Sequence, residues 1–202
     1  MTPTSMPADA VLLTCGLFRT PNAKVAHGLV RGGERFRVRA VVDPVDAGCD
    51  AGQLLDGHRR DIPVVSNLTA ALEYRPRYAV VGIATPGGRL TPQLRALLLE
   101  ALEQGLSVVN GLHDFTQDDP GLVEMARFKG VELIDVRRPR PRSELRFWEG
   151  EALKVRAARI AVLGTDCAIG KRTTARLLTE ALNGAGIRAE MIYTGQTGWM
   201  QG

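Results

Sequence analysis

Lysine is nearly missing from this sequence. Of its 26 basic residues, 22 are arginine and four are lysine, against 22 acidic residues and a net charge of +4. Aromatic residues are only 5% of the chain, and no basic stripe is interleaved with stacking rings, so the charge does not read as a nucleic-acid surface. No apolar run reaches the roughly 18 residues that a membrane-spanning helix needs. The N-terminus has no basic segment ahead of its short apolar run, so neither a membrane partner nor a signal peptide is expected. Cysteine is scarce as well. Cys15, Cys49 and Cys167 are odd in number and far apart, which excludes a disulfide framework and points to a reducing, cytoplasmic setting. No His/Cys cluster has metal-ligand spacing, so no metal centre is expected.

What is there is alternation. Short apolar runs at VLLTC (11–15), FRVRAVVD (36–43), IPVVS (62–66), YAVVGIA (78–84), LSVVNG (106–111) and VELIDV (131–136) read as strands. Between them, AKVAHGLVR (23–31), LTAALE capped by Asn67, TPQLRALLLEALEQG (91–105) and PGLVEMARFKG (120–130) have helical spacing. Strands alternating with helices over this length predict parallel βαβ units in a doubly wound α/β sheet, occupying residues 1–136. The segment RRPRPRSELRFWEGE follows. Pro139 and Pro141 suit neither a helix interior nor a central strand, so 137–155 reads as a basic linker. Its arginines also suit a phosphate or carboxylate clamp, with Arg137 and Arg138 best placed at the end of a strand.

A second unit, 156–202, begins with ARIAVLG (158–164) as a strand. The loop GTDCAIGKRTT and an amphipathic helix come next, with Leu177, Leu178, Ala181 and Leu182 as its buried face, then RAEMIYTG (188–195) as another strand. A phosphate loop needs glycines that let backbone N–H groups turn inward, a Lys as point charge, and the N-terminus of a helix. Gly164, Gly170 and Lys171 supply these, with Thr165, Asp166, Cys167, Ala168 and Ile169 between the glycines. Two features depart from the Walker A pattern. Five residues separate the glycines instead of four, and Arg172 stands where a Mg²⁺-ligating Ser or Thr is usual. Arg172 cannot hold a cation, whereas Thr173 and Thr174 can donate to a phosphate.

Five-residue spacing after GTD looks like dethiobiotin synthetase and its P-loop relatives, which would make the chain an ATP-dependent ligase. The longer strings GTDCAIGKRTT and TGQTGWMQG, with AKVAHGLVR, VVGIATPGGRL, VVNGLHDF and DVRRP, resemble the D-glutamate N-acetyltransferase family, long catalogued as a domain of unknown function. The resemblance implies a Rossmann-like N-terminal domain followed by a P-loop NTPase-like domain, of which the chain carries the first βαβ unit. It also implies acetyl transfer from acetyl-CoA to D-glutamate, a small acidic amino acid. On that reading Gly164–Thr174 anchors a phosphate of acetyl-CoA; on the ligase reading, or that of a non-catalytic nucleotide-binding module, the ligand is ATP.

The N-terminal segment is also similar to the CoA-binding domain of succinyl-CoA synthetase, which would put a ligand at the carboxyl ends of the strands. Those ends are Cys15-Gly16, Asp43, the turn Thr85-Pro86-Gly87-Gly88 and Asn110-Gly111. His113 in GLHDF is the candidate general base, although a His beside an acid on a loop is more often an idle, exposed residue.

After Asp166 the sequence holds no Asp and only Glu180 and Glu190, neither well placed as a second Mg²⁺ ligand. One βαβ unit cannot bury both faces of its strands. The chain is therefore expected to be shorter than a working enzyme, and its open sheet to be covered by a second copy, as a homo-oligomer, or by the N-terminal domain.

Overall fold

The computed structural model of the chain describes residues 7–166, 169–193 and 195–202. These divide into two compact units, Met1–Arg137 with Gly195–Gly202, and Arg138–Thr194.

The first unit is built on six parallel strands: β1 (Ala8–Leu13), β2 (Phe36–Val42), β3 (Val64–Val65), β4 (Tyr78–Val81), β5 (Ser107–Asn110) and β6 (Leu133–Asp135). They run in the order β3-β2-β1-β4-β5-β6, the order of a Rossmann sheet. Helices α1 (Lys24–Val30), α2 (Ala51–Asp56), α3 (Leu68–Ala71), α4 (Pro92–Glu103) and α5 (Pro120–Lys129) connect them. Right-handed crossovers place α1 and α2 on one face and α3, α4 and α5 on the other. With both faces covered, β1 carries Val11, Leu12 and Leu13 at 0% exposure, and β4 and β5 are equally apolar at their centres.

The helices start and stop where local chemistry dictates. The Asn67 side chain accepts from the Ala70 amide at 2.9 Å and opens α3. Thr91 caps α4, with Pro92 in the first turn. Asp119 accepts from the amides of Gly121 and Leu122 and opens α5, which ends on Gly130 at φ 67°. Helix α2 has no marked apolar period in the sequence. It exists because Asp50 caps it through Gln53 N and also accepts from the amides of Arg60 and Ile62, closing the loop that returns to β3.

The second unit contains α6 (Glu151–Lys154) and α7 (Lys171–Gly184). Its described residues form no strand, so 158–164 and the described residues of 188–195, expected as strands, carry no ladder hydrogen bonds. A strand exists only through its neighbour, and these segments pair with none. The apolar face of α7 differs from expectation for the same reason. No residue of α7 is buried, and Leu177 is 60% exposed.

The last helix, α8 (Gln196–Gln201), packs with the first unit although the sequence groups it with the second. Met200 is fully buried, and Gly111 leaves room for it: a Cβ there would lie 2.9 Å from Met200 Cε. No helix among the described residues is long and apolar enough to cross a membrane.

Candidate functional site

In the second unit the loop from Gly164 leads into α7, and both glycines of the motif have a steric reason. Gly170 sits at φ 93° immediately before the helix, a conformation that strains any residue with a Cβ. A Cβ on Gly164 would lie 2.5 Å from Ile169 Cδ1 and 3.0 Å from Lys171 Cδ. The Lys171 stem thus crosses directly over Gly164, and its ammonium donates to the carbonyl of Asp166, curling the loop over itself. The N-cap residue Gly170 has no side chain to cap α7, so among the described residues the positive end of this 14-residue helix is uncapped at the loop. Arg172 follows Lys171, half-buried, and Thr173 and Thr174 are exposed in the first turn. Thr165 and Ile169 are exposed on the loop; Cys167 and Ala168 lie outside the described residues. The donor set is cationic and amide-rich, and the Lys171 partner is a neutral carbonyl that an anionic oxygen can replace. It fits a phosphate. It does not offer the hydroxyl after the Lys that a Mg²⁺-dependent loop uses.

In the first unit the carboxyl ends of the strands form a separate region. Asp43, at the end of β2, stands where dinucleotide-binding folds place a ribose-binding carboxylate. Here it is fully buried. Its oxygens accept from Thr14 Oγ1 at 2.7 Å, Phe18 N at 3.0 Å and Val45 N at 3.0 Å, so it closes the loop after β1. The Cys15 thiol is half-buried on that loop, and burial together with the Asp43 charge raises its pKa, which keeps it protonated at neutral pH. His27 donates through Nε2 to the Phe18 carbonyl at 2.5 Å and meets the Phe18 ring edge-on; burial lowers its pKa, so it is neutral at physiological pH.

The Thr85-Pro86-Gly87-Gly88 turn and His113 come together. Gly88, at φ 68°, accepts from the amides of His113 and Asp114, and a Cβ on it would lie 2.4 Å from His113 Cδ2. His113 is exposed, and its ring nitrogens have no hydrogen-bond partner among the described residues. Asp114 is structural, accepting from Leu90 N. Arg137, a clamp candidate from the sequence, donates to the Gly111 carbonyl at 2.8 Å and to Gln196 Oε1 at 2.7 Å, binding β5 to α8. No local pattern marks that junction, because its two halves lie 59 residues apart.

A Rossmann-order sheet in one unit and a glycine-lysine loop opening a helix in the other define a Rossmann-like domain joined in sequence to a P-loop domain. The Rossmann-like domain of unknown function DUF1611_N matches residues 44–139, and the P-loop domain of unknown function DUF1611_C matches residues 146–202. The chain belongs to the DUF1611 family. It is 34% identical over 119 residues to a D-glutamate N-acetyltransferase of Tritonibacter scottomollicae, covering 59% of this chain and 34% of that protein. It is 33% identical over 119 residues to a D-glutamate N-acetyltransferase of a Pseudoalteromonas species, covering 59% and 35%. The chain thus spans about a third of the length of these curated relatives. A crystal structure of a DUF1611 family protein from Anabaena variabilis superposes with a TM-score of 0.86 at 32% identity, covering 96% of this chain and 55% of that one.

Proposed function

We propose that this chain is the Rossmann-like domain and the opening of the P-loop domain of an enzyme that transfers an acetyl group from acetyl-CoA to D-glutamate. In this reading Gly164–Thr174 anchors a phosphate of the CoA moiety. The observation that carries it is Lys171, whose stem crosses Gly164 and whose ammonium donates to the Asp166 carbonyl at the start of α7, with Arg172, not a hydroxyl residue, beside it. Acetyl transfer moves no phosphoryl group, so the loop has only to bind, and a Mg²⁺ ligand after Lys171 is not required. An ATP-dependent ligase would require one.

The chemistry also needs a group to take the proton of the substrate ammonium. His113 is the candidate, since its ring is solvent-exposed and unengaged at the carboxyl end of β5. The test is product formation by the full-length protein carrying this sequence. N-acetyl-D-glutamate should form from acetyl-CoA and D-glutamate without ATP. Lys171→Ala should raise the KM for acetyl-CoA by roughly 10-fold or more, the worth of a charge-assisted phosphate contact, and leave the KM for D-glutamate nearly unchanged. Product formation that requires ATP–Mg²⁺ would overturn the reading.

A further inference from the structure

The strands β4, β5 and β6 lie side by side, and each is followed at its carboxyl end by one exposed, chemically active side chain. Arg89 follows β4, His113 follows β5 and Arg137 follows β6. Close contacts and hydrogen bonds fix where each lies. The Arg89 stem crosses the turn after β4, since a Cβ on Gly87 would lie 3.6 Å from Arg89 Cγ. The His113 ring packs on the next residue of that turn, Gly88, and the His113 amide donates to the Gly88 carbonyl at 2.9 Å. Arg137 donates to the carbonyl of Gly111, just before His113 in the chain, and to Gln196 Oε1. The unengaged imidazole thus stands over the middle strand, with a guanidinium over the strand on either side.

Neither guanidinium has a carboxylate partner. Arg89 makes no side-chain hydrogen bond or ion pair among the described residues, and both acceptors of Arg137 are neutral carbonyl oxygens. The acids of these loops are committed to the fold. Asp114 accepts from Leu90 N, and buried Asp135 accepts from Asn110, Thr116 and Gln117. Two uncompensated guanidiniums suit two carboxylates, which match the planar fork of Arg. The spacing suits them as well. Neighbouring strands lie about 4.8 Å apart, so β4 and β6 are separated by about 10 Å. An extended five-carbon dicarboxylate places its carboxyl carbons about 5 Å apart. A charge-assisted contact of about 2.8 Å at each end extends it to that span. A monocarboxylate would leave one of the two charges unpaired.

We propose that Arg89 and Arg137 bind the two carboxylates of a short amino dicarboxylate and make the site selective for it. The α-carboxylate lies on Arg137 and the side-chain carboxylate on Arg89, which brings the amine against His113. The ends are assigned by rigidity. The α-carboxylate adjoins the amine that has to be held in place, and Arg137 is clamped through Nε and Nη2 whereas Arg89 is not. The role given to the amine rests on the proposed acetyl transfer; the binding of the two carboxylates does not.

The test uses the full-length protein carrying this sequence, assayed with acetyl-CoA and either D-glutamate or D-glutamine, whose side chain ends in a neutral amide. Arg89→Gln should raise the KM for D-glutamate about 10-fold or more and leave that for D-glutamine nearly unchanged. Arg137→Lys keeps the charge and loses the fork, and should raise the KM for both amino acids about 10-fold. The KM for acetyl-CoA should stay unchanged in both variants. Calorimetry with glutarate, which has both carboxylates and no amine, reads the subsite without the reaction. Wild type should bind it saturably, and each variant at least about fivefold more weakly. Urea unfolding of Arg137→Lys separates loss of the subsite from loosening of α8. An unchanged KM for D-glutamate in Arg89→Gln, or glutarate binding that is absent or equal in all three proteins, would overturn this inference; the proposed function stands if N-acetyl-D-glutamate still forms. Glutarate binding that depends on both arginines, with no acetylated product, would overturn the proposed function alone.

Discussion

The guanidinium of Arg35 lies 4.2 Å from the centre of the Trp199 indole and donates its Nε–H to the Trp199 carbonyl. Arg35 precedes β2 and Trp199 lies in α8, so this pair joins the opening of the first unit to the final helix of the chain. The neighbouring Gln201 extends the junction. Its side-chain amide donates to the carbonyls of Gly28 at 2.6 Å and Gly32 at 2.8 Å, at the end of α1, and its own carbonyl accepts from the amides of Glu34 and Arg35. Gly33 has to be glycine for this approach, because a Cβ would lie 2.9 Å from the Gln201 carbonyl oxygen.

Trp199→Ala therefore removes a stacked cation contact that is mostly buried, and Gln201→Ala strips two carbonyls of their donor. Each is expected to lower the stability of the first unit by about 1–3 kcal/mol, read as an earlier midpoint in urea unfolding. A midpoint unchanged in both variants would mean that α8 is a passive passenger.

The sheet was largely legible because parallel strands buried on both faces write continuous apolar runs, as in YAVVGIA and LSVVNG. The cap at Asn67 was legible because it acts within three residues. The α8 junction was not, since its partners lie 164 to 173 residues apart and no local pattern encodes them. Helix α2 escaped notice because Asp50 forms it through a loop closure and not through periodicity. In the second unit, Gly170 and Lys171 could be read from the motif. The expected strands 158–164 and 188–195 could not be settled by spacing, because apolar residues alone do not supply a pairing neighbour.

Asp43 shows how a residue at a ligand position can serve the fold. Asp43→Ala would leave the amides of Phe18 and Val45 without their acceptor and the Thr14 hydroxyl with only the Val42 carbonyl. The cost is expected to be about 3 kcal/mol or more, measured by denaturant unfolding. Asp43→Asn keeps one side-chain acceptor oxygen and should cost less.

Acid sensitivity should centre on two carboxylates, Asp119 and Asp56, the latter held at about 2 by its hydrogen bond from Arg60. Arg95 donates to Asp119 at 2.5 and 2.8 Å, and this pairing, with the α5 capping bonds, holds the Asp119 pKa down at about 2 from an ordinary 3.8. A carboxylate whose pKa is depressed in the folded state adds stability that is fully present above its unfolded value and is lost as pH falls toward the folded one. Unfolding midpoints should therefore drop between about pH 4 and pH 2, and Asp119→Asn should flatten part of that drop while lowering stability at pH 7 by about 1 kcal/mol. A wild-type profile that the substitution leaves unchanged would contradict this.

Gly164→Ala tests the loop without touching its charge. The added methyl meets Ile169 and the Lys171 stem, so the ammonium is displaced from its place above the loop. Phosphate-ligand affinity is expected to fall about 10-fold, while urea unfolding of the first unit stays unchanged.

The most direct test is calorimetry of the chain with CoA, ATP–Mg²⁺ and GTP–Mg²⁺, repeated on Lys171→Ala. The account predicts that CoA binds, that it binds more tightly than either nucleotide–Mg²⁺ complex, and that Lys171→Ala weakens it about 10-fold or more. Tight, Lys171-dependent binding of ATP–Mg²⁺ with no heat from CoA would contradict it.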